Sequence, residues 1–399
     1  MEFKSLTPYG EALKLASGLS IHGRSEYIPA AESSGLYCAE DVTSPHDFPE
    51  IDRSAVDGIA LRFEDSLSAS RSNPVTLTVI GQVRIGDDPE FSIDRGECAV
   101  VFTGSPIPTG ANAVVMMEDA FIDGKIASIY KQVKKFQNIS RSGEDLRAGD
   151  IIVRSGQRIM PWHIPAFIET GVEKVHVFRS ELGILSTGTE LVEGVVKNSS
   201  APMLKALASN LGLRSVFYGN VADEKGEILS KINEMKSDII IITGGSGPSS
   251  QDLVHDIIEE NGKIVFHGVR MKPGRTTGLG IINGKPIFMI SGLPVAALIA
   301  FENIIEPAIR SWFGMGSKVR RTKKGFLTRS IFNNENMRMF VRVRMFEEDG
   351  KMMIDPMRTT GSGVINSVIS ADGYLVIEEN SEGYPEGAEV EIIEIGDCL

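Results

Sequence analysis

Cysteine is scarce: Cys38, Cys98 and Cys398 are the three in 399 residues. Their odd number and lack of metal-ligand spacing exclude a disulfide framework and a zinc knuckle, and fit a reducing cytoplasm. Positive charge is also short. With 41 Lys and Arg against 53 Asp and Glu, the formal charge is −12, which argues against a nucleic-acid or anionic-membrane surface but allows a local basic cluster to hold an anionic small molecule. The opening Met1-Glu2-Phe3-Lys4-Ser5-Leu6 has no apolar signal core. The longest weakly charged run, Pro286 to Phe301, is interrupted by Ser291-Gly292-Leu293-Pro294 and reads as strand, turn and helix, so no membrane span is expected. The hydrophobic content of 42% and charged content of 24% are those of a soluble globular chain, long enough for two to four domains.

The stretch that organises the rest is Asp238-Ile239-Ile240-Ile241-Ile242-Thr243-Gly244-Gly245-Ser246-Gly247-Pro248, followed by Asp252-Leu253-Val254-His255-Asp256-Ile257-Ile258. Four isoleucines, a glycine cluster and apolar residues at helical spacing read as buried strand, tight loop and helix. Glycines let backbone approach a ligand, and a helix N-terminus presents N–H groups to a phosphate or oxyanion. Asp252 reads either as the helix N-cap or as a ligand for a hard cation.

Taken in order, Thr7-Pro8 with Tyr9, Ala12, Leu13, Leu15 and Ala16 predicts a short amphipathic helix. Pro45-His46-Asp47-Phe48-Pro49 marks a domain crossing. Between Ile59 and Tyr130 no helical period appears, and Val75–Ile80 and Ala113–Met117 read as strands of a small β domain. Its loop Phe102-Thr103-Gly104-Ser105-Pro106-Ile107-Pro108 reads first as a barrel corner, with a rigid functional loop as the alternative. Trp162, Ile164, Ala166, Phe167 and Ile168 predict a second helix near the first.

From Leu182 strands and helices alternate, which predicts a doubly wound parallel sheet with ligands outside the carboxyl ends of its strands. The loops there are Ser186-Thr187-Gly188-Thr189-Glu190, Asn220–Asp223, Thr243–Asp252 and Ser291–Pro294. The first of them is not G-x-G-x-x-G, which counts against a nucleotide-dependent oxidoreductase. Arg270-Met271-Lys272-Pro273-Gly274-Arg275 reads as an anion clamp or a solvated hairpin tip. Lys318-Val319-Arg320-Arg321-Thr322-Lys323-Lys324 reads as a linker, and the alternation of Phe340–Phe346, Tyr374–Ile377 and Val390–Ile395 gives a C-terminal β domain. The expected division is 1–45 with 135–179, a discontinuous helical and β region; 46–134, the inserted β domain; 180–317, the α/β domain; and 318–399, the C-terminal β domain.

In this order the motifs resemble those of the MoeA family, the molybdopterin molybdenumtransferases, which includes the E domain of gephyrin. Asp52-Arg53-Ser54-Ala55-Val56-Asp57-Gly58 resembles its D-N-S-A-M-D-G, and Phe102–Pro108 is similar to its T-G-A-P loop. Gly143-Glu144-Asp145 matches R-x-G-E-D, Ser186–Leu191 matches S-T-G-D-E-L, and Thr243-Gly244-Gly245 with Asp252 resembles its S-G-G loop and later aspartate. The resemblance implies a central α/β domain like that of the molybdopterin adenylyltransferases and a homodimer with an active site shared between protomers. The implied reaction joins molybdate to adenylylated molybdopterin and releases AMP, with Mg²⁺ assisting. It assigns Gly244, Gly245, Ser246 and the Ser186-Thr187-Gly188 turn, with Ser291 and Pro294, to substrate, and Lys272 and Arg275 to molybdate or a terminal phosphate. Asp252, Asp223 and Glu190 go to Mg²⁺, and Asp57, Thr103 and Asp145 to closing the cleft. It further implies contact with the adenylyltransferase and with recipient molybdoenzymes.

The chain departs from the family pattern at Lys197-Asn198-Ser199 for D-S-N, at Thr189 for an aspartate, at Arg275-Thr276 for K-P, and at Leu293 for an asparagine. These departures open a second reading, a paralogue that binds pterin or a partner protein without inserting metal; a third, an insertion enzyme that handles tungstate, stands beside them because the two oxyanions have nearly the same charge and shape.

Overall fold

A computed structural model of the protein describes residues 6–21, 23–244, 252–357 and 365–395. Its centre is a six-stranded sheet in the order Arg214–Val221, Glu181–Thr187, Ile239–Thr243, Lys285–Ile290, Gly278–Ile282, Lys263–His267. Side chains alternate across a strand, so Ile239 and Ile241 enter the core on one face with Leu204, Ala297 and Ile304, while Ile240 and Ile242 enter the other with Ile228, Val254 and Ile257. All four isoleucines are fully buried, each worth about 1.5–3 kcal/mol. A strand covered on both faces has no polar side to show, hence the unbroken apolar run.

Four of these strands are parallel, but the other two form an antiparallel extension: Lys263–His267 pairs Gly278–Ile282, which pairs Lys285–Ile290. The expected parallel sheet is therefore present over four strands and continues as an antiparallel extension. Gly278–Ile282 lacks a strand signature because glycine occupies the tight positions: a Cβ on Gly280 would lie 2.4 Å from Ile258 Cγ2, and one on Gly278 2.6 Å from Met289 Cε. The extension brings the 268–277 loop to the same edge as the parallel strands' carboxyl ends, through the register His267↔Gly278↔Met289↔Ile242.

The last helix of this unit is interrupted. Pro294–Ala300 and Glu306–Trp312 are α-helical, with a π-helical turn, Phe301–Ile305, between them. Pro307 has no N–H to give Asn303 O, and the Tyr9 hydroxyl donates to that carbonyl at 3.1 Å. The helix that carries Tyr9, Tyr9–Ser17, packs Ala12 and Ala16 into the α/β core. It therefore does not lie beside His163–Glu169, whose Phe167 packs with Ile28, Leu36 and Val175. At the second helix Phe167 is buried while Trp162 and Ile168 are exposed, so the apolar residues announced a helix there but neither its buried face nor the core that received it.

Two short antiparallel pairings, Val42–Thr43 with Ile151–Val153 and Arg53–Ser54 with Ile139–Ser140, lead out to a second six-stranded sheet spanning Gly58–Leu61 to Ile126–Ile129. The C-terminal strands form a third sheet, in which Arg338–Glu348 pairs both Lys351–Pro356 and Gly373–Ile377, closing it on itself. Met271–Lys272 of the 268–277 loop adds to its edge, parallel to Arg338–Glu348. No helix among the described residues is long and apolar enough to cross a membrane.

Candidate functional site

At the carboxyl edge of the α/β sheet, Ser186 and Thr243 are direct partners in register. Their hydroxyls lie 2.8 Å apart, and the Asn198 amide donates to Ser186 Oγ and to Asn220 Oδ1, each at 2.8 Å. Asn198 Oδ1 accepts from Ala201 N at 3.1 Å, and Ser200 Oγ donates to Gly292 O at 2.7 Å. Asn220 Nδ2 reaches Leu191 O at 3.5 Å. Four loops are thereby held in one network. Lys197, by contrast, is exposed. The departure from D-S-N therefore does not bury a cation at this edge; the residue turned inward is the neutral Asn198, whose role the sequence did not reveal.

Gly244 makes the closest backbone approach: at φ +102°, its missing Cβ would stand 2.2 Å from Thr187 O and 2.9 Å from Thr187 Oγ1. Only glycine fits there. Thr187 is 2% exposed and its Oγ1 finds no hydrogen-bond partner among the described residues; the same holds for the enclosed Asp223 Oδ1. A buried polar atom without a partner is costly, so this edge offers one hydroxyl and one carboxylate oxygen to a ligand. Asp223 Oδ2 and N exchange long contacts of 3.4 Å with Thr189 N and Oγ1, so Thr189 steadies Asp223. Glu190 folds back over Gly188, with Oε1 2.7 Å from where a Cβ would stand. Ser291 Oγ accepts from Leu293 N at 3.2 Å, and Pro294 opens the next helix. Gly245 and Ser246 lie outside the described residues.

Both oxygens of Asp252 are engaged. Oδ1 caps the helix Leu253–Asn261 by accepting from His255 N at 3.2 Å, and Oδ2 meets His267 Nε2 at 2.8 Å. The three carboxylates expected to hold Mg²⁺ do not form one compact set. Among the described residues, the single His, Cys, Asp and Glu group whose ligand atoms lie within 4.8 Å of one another is His255, Asp256 and Glu259. By donor chemistry Asp223, with a spare oxygen, fits a hard cation, whereas Asp252 is occupied as cap and imidazole partner. Lys272 is paired with Glu335 across to the C-terminal domain, and Arg275 stands exposed in the same loop. Cys38 and Cys98 are buried thiols pushed up to about 12 by loss of hydration, which removes them as nucleophiles.

The other predicted residues sit apart from this edge. Asp57 Oδ1 accepts from Thr103 N at 2.7 Å and from Thr103 Oγ1 at 2.8 Å; these bonds, the backbone one foremost, hold its carboxyl below the usual range. The 102–108 loop is latched to the 52–57 segment by Gly104 N to Ser54 O at 2.7 Å and Ser54 N to Ser105 O at 2.9 Å. Asp145 is exposed on the turn whose Gly143 N donates to Pro49 O at 2.9 Å. Among the described residues no hydrogen bond or ion pair joins Asp57, Thr103 or Asp145 to Ser186, Thr187, Asp223 or Thr243.

A further cation was not foreseen. Arg342 is 2% exposed and donates to Ser367 Oγ at 3.3 Å and Phe340 O at 3.2 Å, with no carboxylate partner among the described residues. Burial pushes its guanidinium pKa down, and a buried cation without a counter-charge favours an oxyanion beside it. The signal was an arginine amid otherwise apolar buried neighbours, Phe340, Val341 and Val343.

Comparison with known proteins accounts for nearly the whole chain. Residues 7–171 match the MoeA N-terminal region (domain I and II), 183–311 a probable molybdopterin binding domain, and 324–395 the MoeA C-terminal region (domain IV). A putative molybdopterin biosynthesis protein of Methanocaldococcus jannaschii is 35% identical over 396 residues, covering 95% of this chain and 94% of its own. The molybdopterin molybdenumtransferase of Bacillus subtilis is 30% identical over 408 residues, 98% of this chain and 95% of its own. The crystal structure of a MoeA molybdopterin biosynthesis protein from Pyrococcus horikoshii superposes with a TM-score of 0.83 at 32% identity, covering 98% of this chain and all of that one. With domains that match in order and relatives that match end to end, the chain belongs to the MoeA family.

Proposed function

We propose that the protein is a molybdopterin molybdenumtransferase of molybdenum cofactor biosynthesis, which joins molybdate to adenylylated molybdopterin and releases AMP. The observation that carries this reading is the carboxyl edge itself: Gly244 pressed against Thr187, with the unpartnered oxygens of Thr187 and Asp223 beside it. Cleaving a phosphoanhydride requires charge to be neutralised at phosphate oxygens, and fixed hydroxyl and N–H donors supply that without covalent catalysis. Ser186, Gly188 and Gly244 shape the phosphate region, and Ser291 and Pro294 bound it. Asp223, with Glu190 alongside, is the place for Mg²⁺, which when bound would neutralise phosphate charge. Lys272 and Arg275, the cations of the 268–277 loop, are the residues to hold molybdate or a terminal phosphate, Lys272 also pairing with Glu335.

On this reading Asp57, Thr103 and Asp145 reach the edge from a second protomer, which supports a homodimer with a shared site; their separation from Ser186 and Asp223 within one chain is what favours it. The division at 45, 134, 179 and 317 goes with it; the pairings of Ser25–Pro29 with Lys174–Phe178 and of Val42–Thr43 with Ile151–Val153 support the discontinuous first region. A cytoplasmic location and contacts with an adenylyltransferase and recipient molybdoenzymes follow from the same reaction.

Release of AMP from adenylylated molybdopterin by the purified protein tests this, measured with and without molybdate, tungstate and Mg²⁺. Release that needs an oxyanion supports the transferase and shows which metal it takes. Tight pterin binding without release would overturn it in favour of a binding paralogue.

A further inference from the structure

The network around Ser186 leaves one hydroxyl hydrogen over. Asn198 Nδ2 spends both hydrogens, on Ser186 Oγ and Asn220 Oδ1, while its Oδ1 is held by Ala201 N. The amide therefore cannot flip without losing three bonds. Ser186, fully buried, receives Asn198's hydrogen and has Thr243 Oγ1 as its other neighbour at 2.8 Å. Thr243 is buried as well, at 2% exposed, so whichever hydroxyl donates, one of the two hydrogens lacks an acceptor among the described residues. An anionic oxygen beyond the last residue of the Thr243 strand resolves this only if Ser186 donates to Thr243 and Thr243 turns its own hydrogen outward. The second such hydroxyl, on Thr187, lies against the Gly244 backbone in the neighbouring strand's end.

We propose that Asn198 is a positioning residue that polarises a relay, Asn198 to Ser186 to Thr243, so that Thr243 and Thr187 together present two hydroxyl donors to an anionic oxygen of the phosphate at this edge. The proposal rests on the reading of the edge as the adenylylated pterin's phosphate site. It assigns binding to Thr243 and Thr187, and to Asn198 only the orientation of the hydrogens. Asp at position 198 has the same shape but no N–H; a carboxylate there accepts from Ser186, which turns the relay round and consumes the Thr243 hydrogen.

The test uses the full-length protein, AMP as the calorimetric probe, and turnover of adenylylated molybdopterin. Thr243→Val and Asn198→Asp each weaken AMP binding about tenfold or more at pH 8, in turnover raising KM more than they lower kcat, while Thr243→Ser stays within about threefold of wild type. The double variant binds no worse than the weaker single one, because the two act through one hydrogen. The Asn198→Asp defect, taken as a ratio to wild type at each pH, shrinks as the pH falls and the carboxyl regains a proton to donate. Wild-type affinity in both single variants would overturn the proposal and leave the reading of the edge intact. Additive losses in the double variant would overturn the relay, since simple repulsion by Asp would add to loss of the hydroxyl. If Thr243→Val fails to fold, Asn198→Asp and Thr243→Ser decide alone by the pH ratio. Wild-type protein that neither binds AMP nor turns over would sink the reading of the edge, and the proposal with it.

Discussion

Replacing Asp252 by alanine removes two hydrogen bonds from the start of the helix that follows the glycine-rich loop. The first is the cap from His255 N at 3.2 Å, the second the contact with His267 Nε2 at 2.8 Å. Loss of an aspartate cap costs about 1 kcal/mol, and a hydrogen bond to an ionised carboxylate about 1.5 kcal/mol. Together they give about 2–3 kcal/mol, or about 5–10 °C in the transition of a domain of this size. Asparagine keeps an acceptor for the cap, so Asp252→Asn falls within about 1 kcal/mol of wild type. The assay is thermal unfolding of both variants, with hydrogen exchange at the His255 amide to localise the loss. Mg²⁺-dependent AMP release follows on the same samples, compared below each variant's transition. Asp252→Ala is expected to lose stability and amide protection while retaining Mg²⁺-dependent release. Unchanged stability with abolished release would refute the reasoning and return Asp252 to the metal or the substrate.

Two further outcomes follow from the geometry. Gly244→Ala places a Cβ at φ +102° and 2.2 Å from Thr187 O; backbone conformation and overpacking together cost about 2–5 kcal/mol, and chemical denaturation showing less than about 1 kcal/mol would contradict the close approach. Glu302 is raised above the ordinary glutamate value by burial, against the opposing pull of Lys318 and Arg320 and with a further push from Glu306. The native state then keeps a proton that the unfolded chain has lost, so stability falls as pH rises from the unfolded value through the folded one and levels off above it. Glu302→Gln is expected to flatten that slope in transition temperature against pH, and an unchanged slope would remove Glu302 as its source.

The strand Ile239–Thr243 was legible because a strand buried on both faces writes itself as an apolar run, and the helix Leu253–Asn261 because its apolar residues recur at helical spacing. The small β domain was legible from the absence of any helical period. Gly278–Ile282 was not, since two glycines erase side-chain alternation where helix and neighbouring strand press closest. The first helix announced an apolar face, but only three-dimensional packing shows that Ala12 and Ala16 belong to the α/β core. At the site, loop composition located the edge, and Ser186, Thr187, Gly188 and Asp223 lie there. Asn198 went unread because its contacts, to Ser186, Asn220 and Ala201, are made through the fold. Arg342 went unread because a lone cation in a strand is usually solvated, and burial without a carboxylate is visible only in space.

The strand Met271–Lys272, lent by the central unit to the C-terminal barrel, makes the molecule mechanically lopsided. Backbone bonds, reinforced by Thr7 on the other side of the same loop, stitch those two parts so that neither swings without breaking a ladder. The small β domain stands instead on a stalk two chains wide, residues 42–54 against 139–153, joined by the Val42–Thr43 and Arg53–Ser54 pairings and by bonds such as Leu146 N to Phe48 O at 3.1 Å between them. Bending is cheapest at that stalk, so a tug on the chain moves the arm that carries Asp57 and Thr103 before it disturbs the edge that carries Ser186 and Thr243.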